Sequence, residues 1–384
     1  MNKFLKILFS IFLVLLFESS ISYSEETKIK IGVLAPLSGE NAYLGKQILN
    51  SVRMALIDIK DNNIEIYPKD TGSDPNVTLS SALEFERMGI SLVIGPIFHK
   101  NLLFLDKVKK ITFLSLTNKT LDLPKNIITS GINSSSQLNT IKKFLEKNDI
   151  RKTIFLIPNL NYNLEIKKGI KESKIKFFKQ YSYDIDPTKL TKQIEKITNY
   201  GIRKQNLLDE ISRVESSDDP NKEKIIEKLE KKYTLGNVKF DSVIIADFDE
   251  SLKSVITSLL YTDVSSNRVK YISLNQWFDE SLLKEKTLQP IYFPSVNRKN
   301  YEKFTELYKS KYNSLPNQVS FLSYDILGLI YYLIYINDFD VSRKIFYEKN
   351  KFKGKIGIFE IDKNIITHEL SLYSADDGKF KKIF

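Results

Sequence analysis

The sequence predicts an α/β protein built as two doubly wound parallel-sheet lobes joined by a multi-strand hinge. Three observations predict it. From Lys30 onward, short apolar runs alternate with stretches of helical period, the pattern of a parallel sheet wound with helices. The alternation pauses at 126–131 and then restarts, which implies a second sheet. At 384 residues the chain also exceeds the roughly 250 residues at which single cores stop growing.

The elements follow in order. An apolar run at 30–35 ends in Pro36-Leu-Ser-Gly39, and Leu44, Ile48, Val52, Ala55, Leu56 and Ile59 then mark one face of a helix, with Asn41 as its expected cap. A strand at 63–67 precedes Asp70-Thr-Gly-Ser-Asp-Pro-Asn76, where Asp74 before Pro75 reads as an N-cap with proline at the first helical position. A helix to about Met88, a strand at 92–94, a helix at 101–110 and a strand at 112–115 complete the first series. The second series has a helix at 137–148, a strand at 153–157, a helix at 165–172 and a strand at 175–183. From Leu190 to about Gly236 the chain is charged and helical, an insertion that reads either as a solvated hairpin or as a protein-docking arm. Sheet rhythm returns with a strand at 240–247, a helix at 250–260 and a strand at 269–274. The last third holds a strand at 290–293, helices at 300–312 and 318–336, and a hairpin from 354–361 and 367–373.

Composition narrows the function classes. The net charge of +11 comes without basic runs interleaved with aromatics, so a nucleic-acid partner is not indicated. With no cysteine, disulfides, thiolate nucleophiles and cysteine metal sites are excluded. Residues 1–24 read as an export signal: Lys3 and Lys6, the apolar run Ile7–Phe17, then small Ser22 and Ser24 before a cleavage site. That run is too short to cross a hydrocarbon core of about 30 Å, and 326–336 suits a buried helix, so no stable membrane span is expected after cleavage. The expected location is periplasmic, with no lipoprotein cysteine.

Signs of chemistry are absent. His99 and His368 lie far apart, and neither a Gly-x-Gly-x-x-Gly turn, a phosphate loop nor a Gly-x-Ser-x-Gly elbow occurs. No catalytic residue, metal ligand or cofactor is therefore assigned. What remains suits gripping a small ligand at the carboxyl edge of the strands. The cleft candidates are Ser38, Gly39, Tyr43, Gly95, Pro96, Ser115, Thr117 and Asn118 from the first series, with Asp247, Phe248, Asn275 and Trp277 from the second.

These residues carry a resemblance. Ile31-Gly-Val-Leu-Ala-Pro-Leu-Ser-Gly39, with Leu44-Gly45 and Ala55-Leu56, is similar to the opening motif of the type I periplasmic binding proteins, the leucine-binding-like superfamily. The resemblance implies hinge crossings near 129–133, near 289–294 and after the long helix. It thereby assigns 28–131 plus 287–337 to lobe 1, and 132–286 plus 338–384 to lobe 2. Amino-acid receptors of that superfamily grip their ligand with a Ser/Thr-rich third turn, a Gly-Ala-Thr-like fourth turn and an acid from lobe 2. Here the corresponding stretches read Gly95-Pro-Ile-Phe-His-Lys-Asn101, Ser115-Leu-Thr-Asn118 and Asn275. Lys69-Asp-Thr-Gly72, Ile94-Gly-Pro96, Asn275-Gln-Trp277 and the charged insertion resemble instead the penicillin-binding-protein activator branch. The expectation is an exported, non-enzymatic regulator whose partner is a peptidoglycan synthase. The alternative is a solute receptor, with a small-molecule ligand and an ABC permease as partners.

Overall fold

The computed structural model describes residues 28–274, 277–355 and 357–384. The first series folds as β1 (Ile29–Ala35), α1 (Ala42–Ile59), β2 (Ile64–Asp70), α2 (Pro75–Arg87), β3 (Leu92–Ile94), β4 (Thr112–Ser115) and β5 (Ile127–Thr129). The second comprises α3 (Ser134–Lys147), β6 (Thr153–Pro158), α4 (Asn163–Ser173), β7 (Lys179–Tyr183), α5 (Pro187–Ile197), α6 (Tyr200–Glu215) and α7 (Lys222–Glu230). It continues with β8 (Ser242–Ile245), α8 (Asp249–Tyr261), β9 (Lys270–Ser273), α9 (Ser281–Lys284) and β10 (Ile291–Ser295). The last part holds α10 (Arg298–Tyr312), α11 (Gln318–Ile336), β11 (Asn350–Lys353), β12 (Ile358–Asp362), β13 (Ile365–Glu369), β14 (Ser371–Asp376) and β15 (Lys379–Lys382).

Two sheets result, ordered β11-β12-β13-β5-β4-β3-β1-β2 and β15-β14-β10-β9-β8-β6-β7. β1 to β5 are parallel to one another, as are β6 to β10, so all their carboxyl ends face one edge in each sheet. The reason lies in the sequence: the central strands β3, β6 and β8 are apolar on both faces, as strands covered by helices must be, while the edge strands β2 and β7 carry polar residues. The terminal hairpins β12–β13 and β14–β15 add the antiparallel edges.

The chain crosses between sheets at Ser130–Asn133, after β10, and at Leu370 between β13 and β14. The expected segment boundaries move accordingly. β10 pairs in parallel with β9, so 287–295 stays with the second sheet rather than opening lobe 1. β11 to β13 join β5 through Ile365, so 338–369 belongs with the first sheet rather than lobe 2. Apolar alternation cannot tell which sheet a hairpin joins, because Phe359, Ile361 and Ile366 would be buried in either; here they enter the first core.

Three local expectations also change. The stretch 101–110 is not an α-helix but two 3₁₀ turns, His99–Leu102 and Leu105–Lys107. Its buried Leu102, Leu105 and Val108 recur every three residues, which is the 3₁₀ period. The Asn126 amide holds that form by donating to the Leu105 and Val108 carbonyls at 2.8 and 2.9 Å. Asn41 does not cap α1; its amide donates to the Ser73 hydroxyl at 3.1 Å. The strand expected at 175–183 is confined to Lys179–Tyr183. Asp74 does cap α2, accepting from Asn76 and Val77 N–H at 2.8 and 3.0 Å.

The apolar helix α11 has the length and hydropathy of a membrane span, yet it packs along α1 with Phe321, Ile326, Leu327, Leu329, Ile330 and Leu333 buried in the first core. The insertion α5–α7 rests on α8 and carries its own small core of Leu207, Val214 and Leu229.

Candidate functional site

The carboxyl ends of both sheets face a cleft with two connected hollows. The larger, about 750 Å³, is lined by Ile97–Lys100, Leu116–Lys119, Ile132 and Trp277, with α11 contributing Gln318, Val319 and Leu322. The smaller, about 260 Å³, shares Asn118, Lys119 and Ile132 and continues to Gln137, Tyr162, Glu165, Asp247 and Phe248 of the second lobe.

Five of the twelve expected residues meet here. Thr117, Asn118 and Trp277 line the larger hollow, and Asn118, Asp247 and Phe248 the smaller. Trp277 follows β9 of the second sheet but belongs to the first lobe's core, its ring 6.0 Å from Tyr301. It is both cleft wall and packing residue. Phe248 lies 6.2 Å from Tyr162 and is half exposed toward the hollow.

Asp247 is buried, and burial pushes its carboxyl above the usual range. The Tyr183 hydroxyl at 2.6 Å, the Phe248 N–H at 3.0 Å and the Tyr162 hydroxyl at 3.3 Å pull the other way and occupy both oxygens. The same burial raises both tyrosines. Asp247 is therefore already satisfied by its own lobe.

The remaining candidates support the rim or stand behind it. Gly95, at φ +99°, takes a conformation open to glycine, and a Cβ there would come 2.1 Å from the Leu34 carbonyl oxygen. Pro96 is buried beside it, and its carbonyl accepts from the Ser115 hydroxyl at 2.7 Å. Ser115 thus points into the wall. Ser38 and Gly39 sit on an exposed turn outside both hollows. The Ser38 hydroxyl donates to Asp70, whose Oδ1 also accepts the N–H of Leu37 at 2.7 Å and of Gly72 at 2.8 Å. Burial raises the Asp70 carboxyl, but these hydrogen bonds outweigh it and hold the group below its ordinary value. Tyr43, also outside the hollows, donates to the Leu315 carbonyl at 3.3 Å. Asn275 lies outside the described residues.

Sequence reasoning missed the contact that spans the cleft. The β4–β5 loop of the first lobe reaches α4 of the second, where the Glu165 carboxylate accepts the Thr120 N–H at 2.9 and 3.0 Å and the Leu121 N–H at 2.9 Å. The Thr120 hydroxyl adds a fourth contact at 3.0 Å, and Lys168 donates back to the Thr120 carbonyl and hydroxyl at 2.8 and 2.9 Å. Glu165 at the start of a helix is an ordinary dipole partner in sequence; its distant partner leaves no signal.

Residues 28–202 match the family model described as periplasmic binding protein. An uncharacterized protein of Rickettsia prowazekii (strain Madrid E), RP748, is 23% identical over 279 residues, covering 67% of this chain and 72% of that one. Among solved structures, the C-domain of LpoA (YraM) from Haemophilus influenzae, a regulator of PBP1A, superposes with TM-score 0.61 at 13% identity, over 92% of this chain and all of that one. An ABC transporter substrate-binding protein from Desulfitobacterium hafniense, in complex with Leu, gives 0.62 at 14%, over 93% of this chain and all of that one. The fold is that of the leucine-binding-like type I periplasmic binding proteins, a fold shared by regulators and transport receptors.

Proposed function

We propose that this chain is an exported, periplasmic, non-enzymatic regulator of peptidoglycan synthesis that acts by contact with a peptidoglycan synthase. One observation carries the reading: several polar groups in and around the cleft wall are spent on the chain itself, leaving, among the described residues, Asn118, Lys119, Gln137 and Gln318 as polar side chains that line the hollows without such a partner. Ser38 is bound to Asp70, Ser115 to the Pro96 carbonyl and Asp247 to two tyrosines, while Glu165 and Lys168 hold the opposite lobe directly. A receptor leaves such groups for its ligand, because a ligand's polar atoms need partners once buried. A scaffold closed by its own contacts presents instead a fixed outer surface. The likeness to the regulator of PBP1A agrees with this.

A second reading, a solute receptor working with an ABC permease, is favoured by the larger hollow, whose 750 Å³ falls within the range of small-molecule sites. The test compares the two. Immobilised protein incubated with envelope extract should retain a peptidoglycan synthase, and a thermal-shift screen of amino acids and aromatic acids should leave the melting temperature within about 1 °C. A saturable rise above about 3 °C for one solute, by mass action on the folded state, with no synthase retained, would reverse the assignment.

A further inference from the structure

The end of the first lobe opposite the cleft has a character of its own. Parallel pairing brings the starts of β1 to β5 to one edge, and the segments leading into them are basic. Lys28, Lys60, Arg87, Lys107, Lys109, Lys110 and Lys125 are all exposed there, against Asp61, Glu65, Glu86, Asp106 and Asp122 on the same segments. Lys28 is paired with Glu65 at 2.6 Å; the chain after α11 adds Asp338 and Asp340 against Arg343 and Lys344. Arg343 donates to the Lys109 carbonyl at 2.7 Å, which ties that chain to this edge.

Beside these cations lies a groove of about 620 Å³ lined by Lys28, Ile29, Lys30, Met88, Phe339 and Val341. An aromatic row runs out of it: Phe339 is 6.3 Å from Tyr335, and Tyr335 is 6.2 Å from Tyr331. Tyr335, Phe339, Ile336 and Met88 are exposed large apolar side chains. Tyrosines set among lysines beside an apolar groove are the composition of a surface at a membrane–water boundary, where amphipathic rings settle at headgroup depth and lysines are drawn to anionic lipid. Two of these cations, Lys28 and Lys30, form part of the groove wall itself.

We propose that this basic, aromatic edge docks on an anionic phospholipid bilayer, leaving the cleft end facing away from the membrane. The inference does not rest on the proposed partner or ligand. Because the chain has no cysteine, the full chain can be labelled at one site with an environment-sensitive dye: at Met88→Cys on the edge, or at Leu208→Cys on the distant insertion as control. Phosphatidylglycerol-rich vesicles should shift the Met88→Cys label to the blue and brominated phosphatidylglycerol should quench it. The control label should be silent. Lys109→Glu with Lys110→Glu should weaken this response at least tenfold, and raised salt should weaken it on the unaltered edge, which guards against misfolding of the variant. A silent edge label overturns the proposal. So does an equal response on phosphatidylcholine, which would show that anionic headgroups are not what the edge recognises, and so does an equal change at both positions.

Discussion

His368 sits where two of the three crossings between the lobes meet. Its Nε2 lies 2.9 Å from the Ser130 carbonyl, so that nitrogen carries the proton and donates. Its backbone N–H donates to the Ser136 hydroxyl at 2.9 Å, while Asn133 donates to the Ile366 carbonyl at 3.1 Å. The ring is buried, and burial pushes its pKa down from 6.5 to about 4 despite the Ser130 contact. The sign follows from which state holds the proton. Between pH 4 and 6.5 the unfolded chain binds it and the folded chain does not, so stability rises with pH across that window. This contribution is full above pH 6.5, falls as pH drops toward 4, and amounts to about 3 kcal/mol at most. Urea denaturation at pH 4.5 and 7 should show the loss in the wild type and a smaller one in His368→Gln, whose amide can still donate to Ser130. An equal loss in both would reject His368 as its source. Asp70 acts in the opposite limb of the lobe. As its carboxyl is held low, its stabilisation is present above the unfolded carboxylate range and is lost as pH falls through the folded value. Asp70→Ala strands the Leu37 and Gly72 N–H groups and should cost about 2 kcal/mol in the same assay.

Among the elements, the helical insertion shows what sequence could and could not tell. Its charge and its period were legible, because Ile225, Ile226 and Leu229 fall on one face of α7. What holds it to the body was not. Arg203, on paper one more cation, is 4% exposed and donates to the Thr198 carbonyl and the Thr234 hydroxyl at 3.0 Å, and to the Thr262 carbonyl. Those acceptors lie on three separate stretches, and no local pattern joins them. The same holds for β11 to β13, whose alternation showed strands but not their sheet, and for Glu165. By contrast, the Asp74 cap depends on neighbours within three residues and could be read directly, whereas the β1–α1 turn is held by the distant Asp70. Arg203→Met should therefore destabilise the second lobe by about 3 kcal/mol, through buried acceptors left unpaired. Replacing 204–232 by a short Gly/Ser linker should not, since Arg203 and Leu235 are already joined by a backbone hydrogen bond of 2.9 Å. Melting curves of the two variants check the contrast. If the insertion is the docking arm, the excised protein should also lose synthase capture; retained capture would leave the helices as a solvated hairpin.

For the whole molecule, the decisive quantity is the balance between closed and open lobes. A hinged receptor is open without ligand and closes when the ligand adds contacts across the cleft. Here Glu165 and Lys168 supply contacts without one, at a lever arm from the crossings at 130–133, after β10 and at Leu370. Two N–H groups and a hydroxyl on one carboxylate are charge-assisted bonds, each worth about 1.5–3 kcal/mol. A two-state opening needs only about 3 kcal/mol of bias to be 99% one-sided. The latch is thus strong enough to set the state of the molecule. Glu165→Gln can keep one carbonyl oxygen on the Thr120 and Leu121 N–H groups but loses the charge, so it should open a modest fraction of molecules; Glu165→Ala should open more. Small-angle scattering checks this without any ligand: the wild type should match the latched arrangement, and both variants should show a larger radius of gyration, while circular dichroism stays unchanged. Identical scattering from all three would mean that lobe packing around Trp277 and the crossings, rather than the latch, holds the cleft shut.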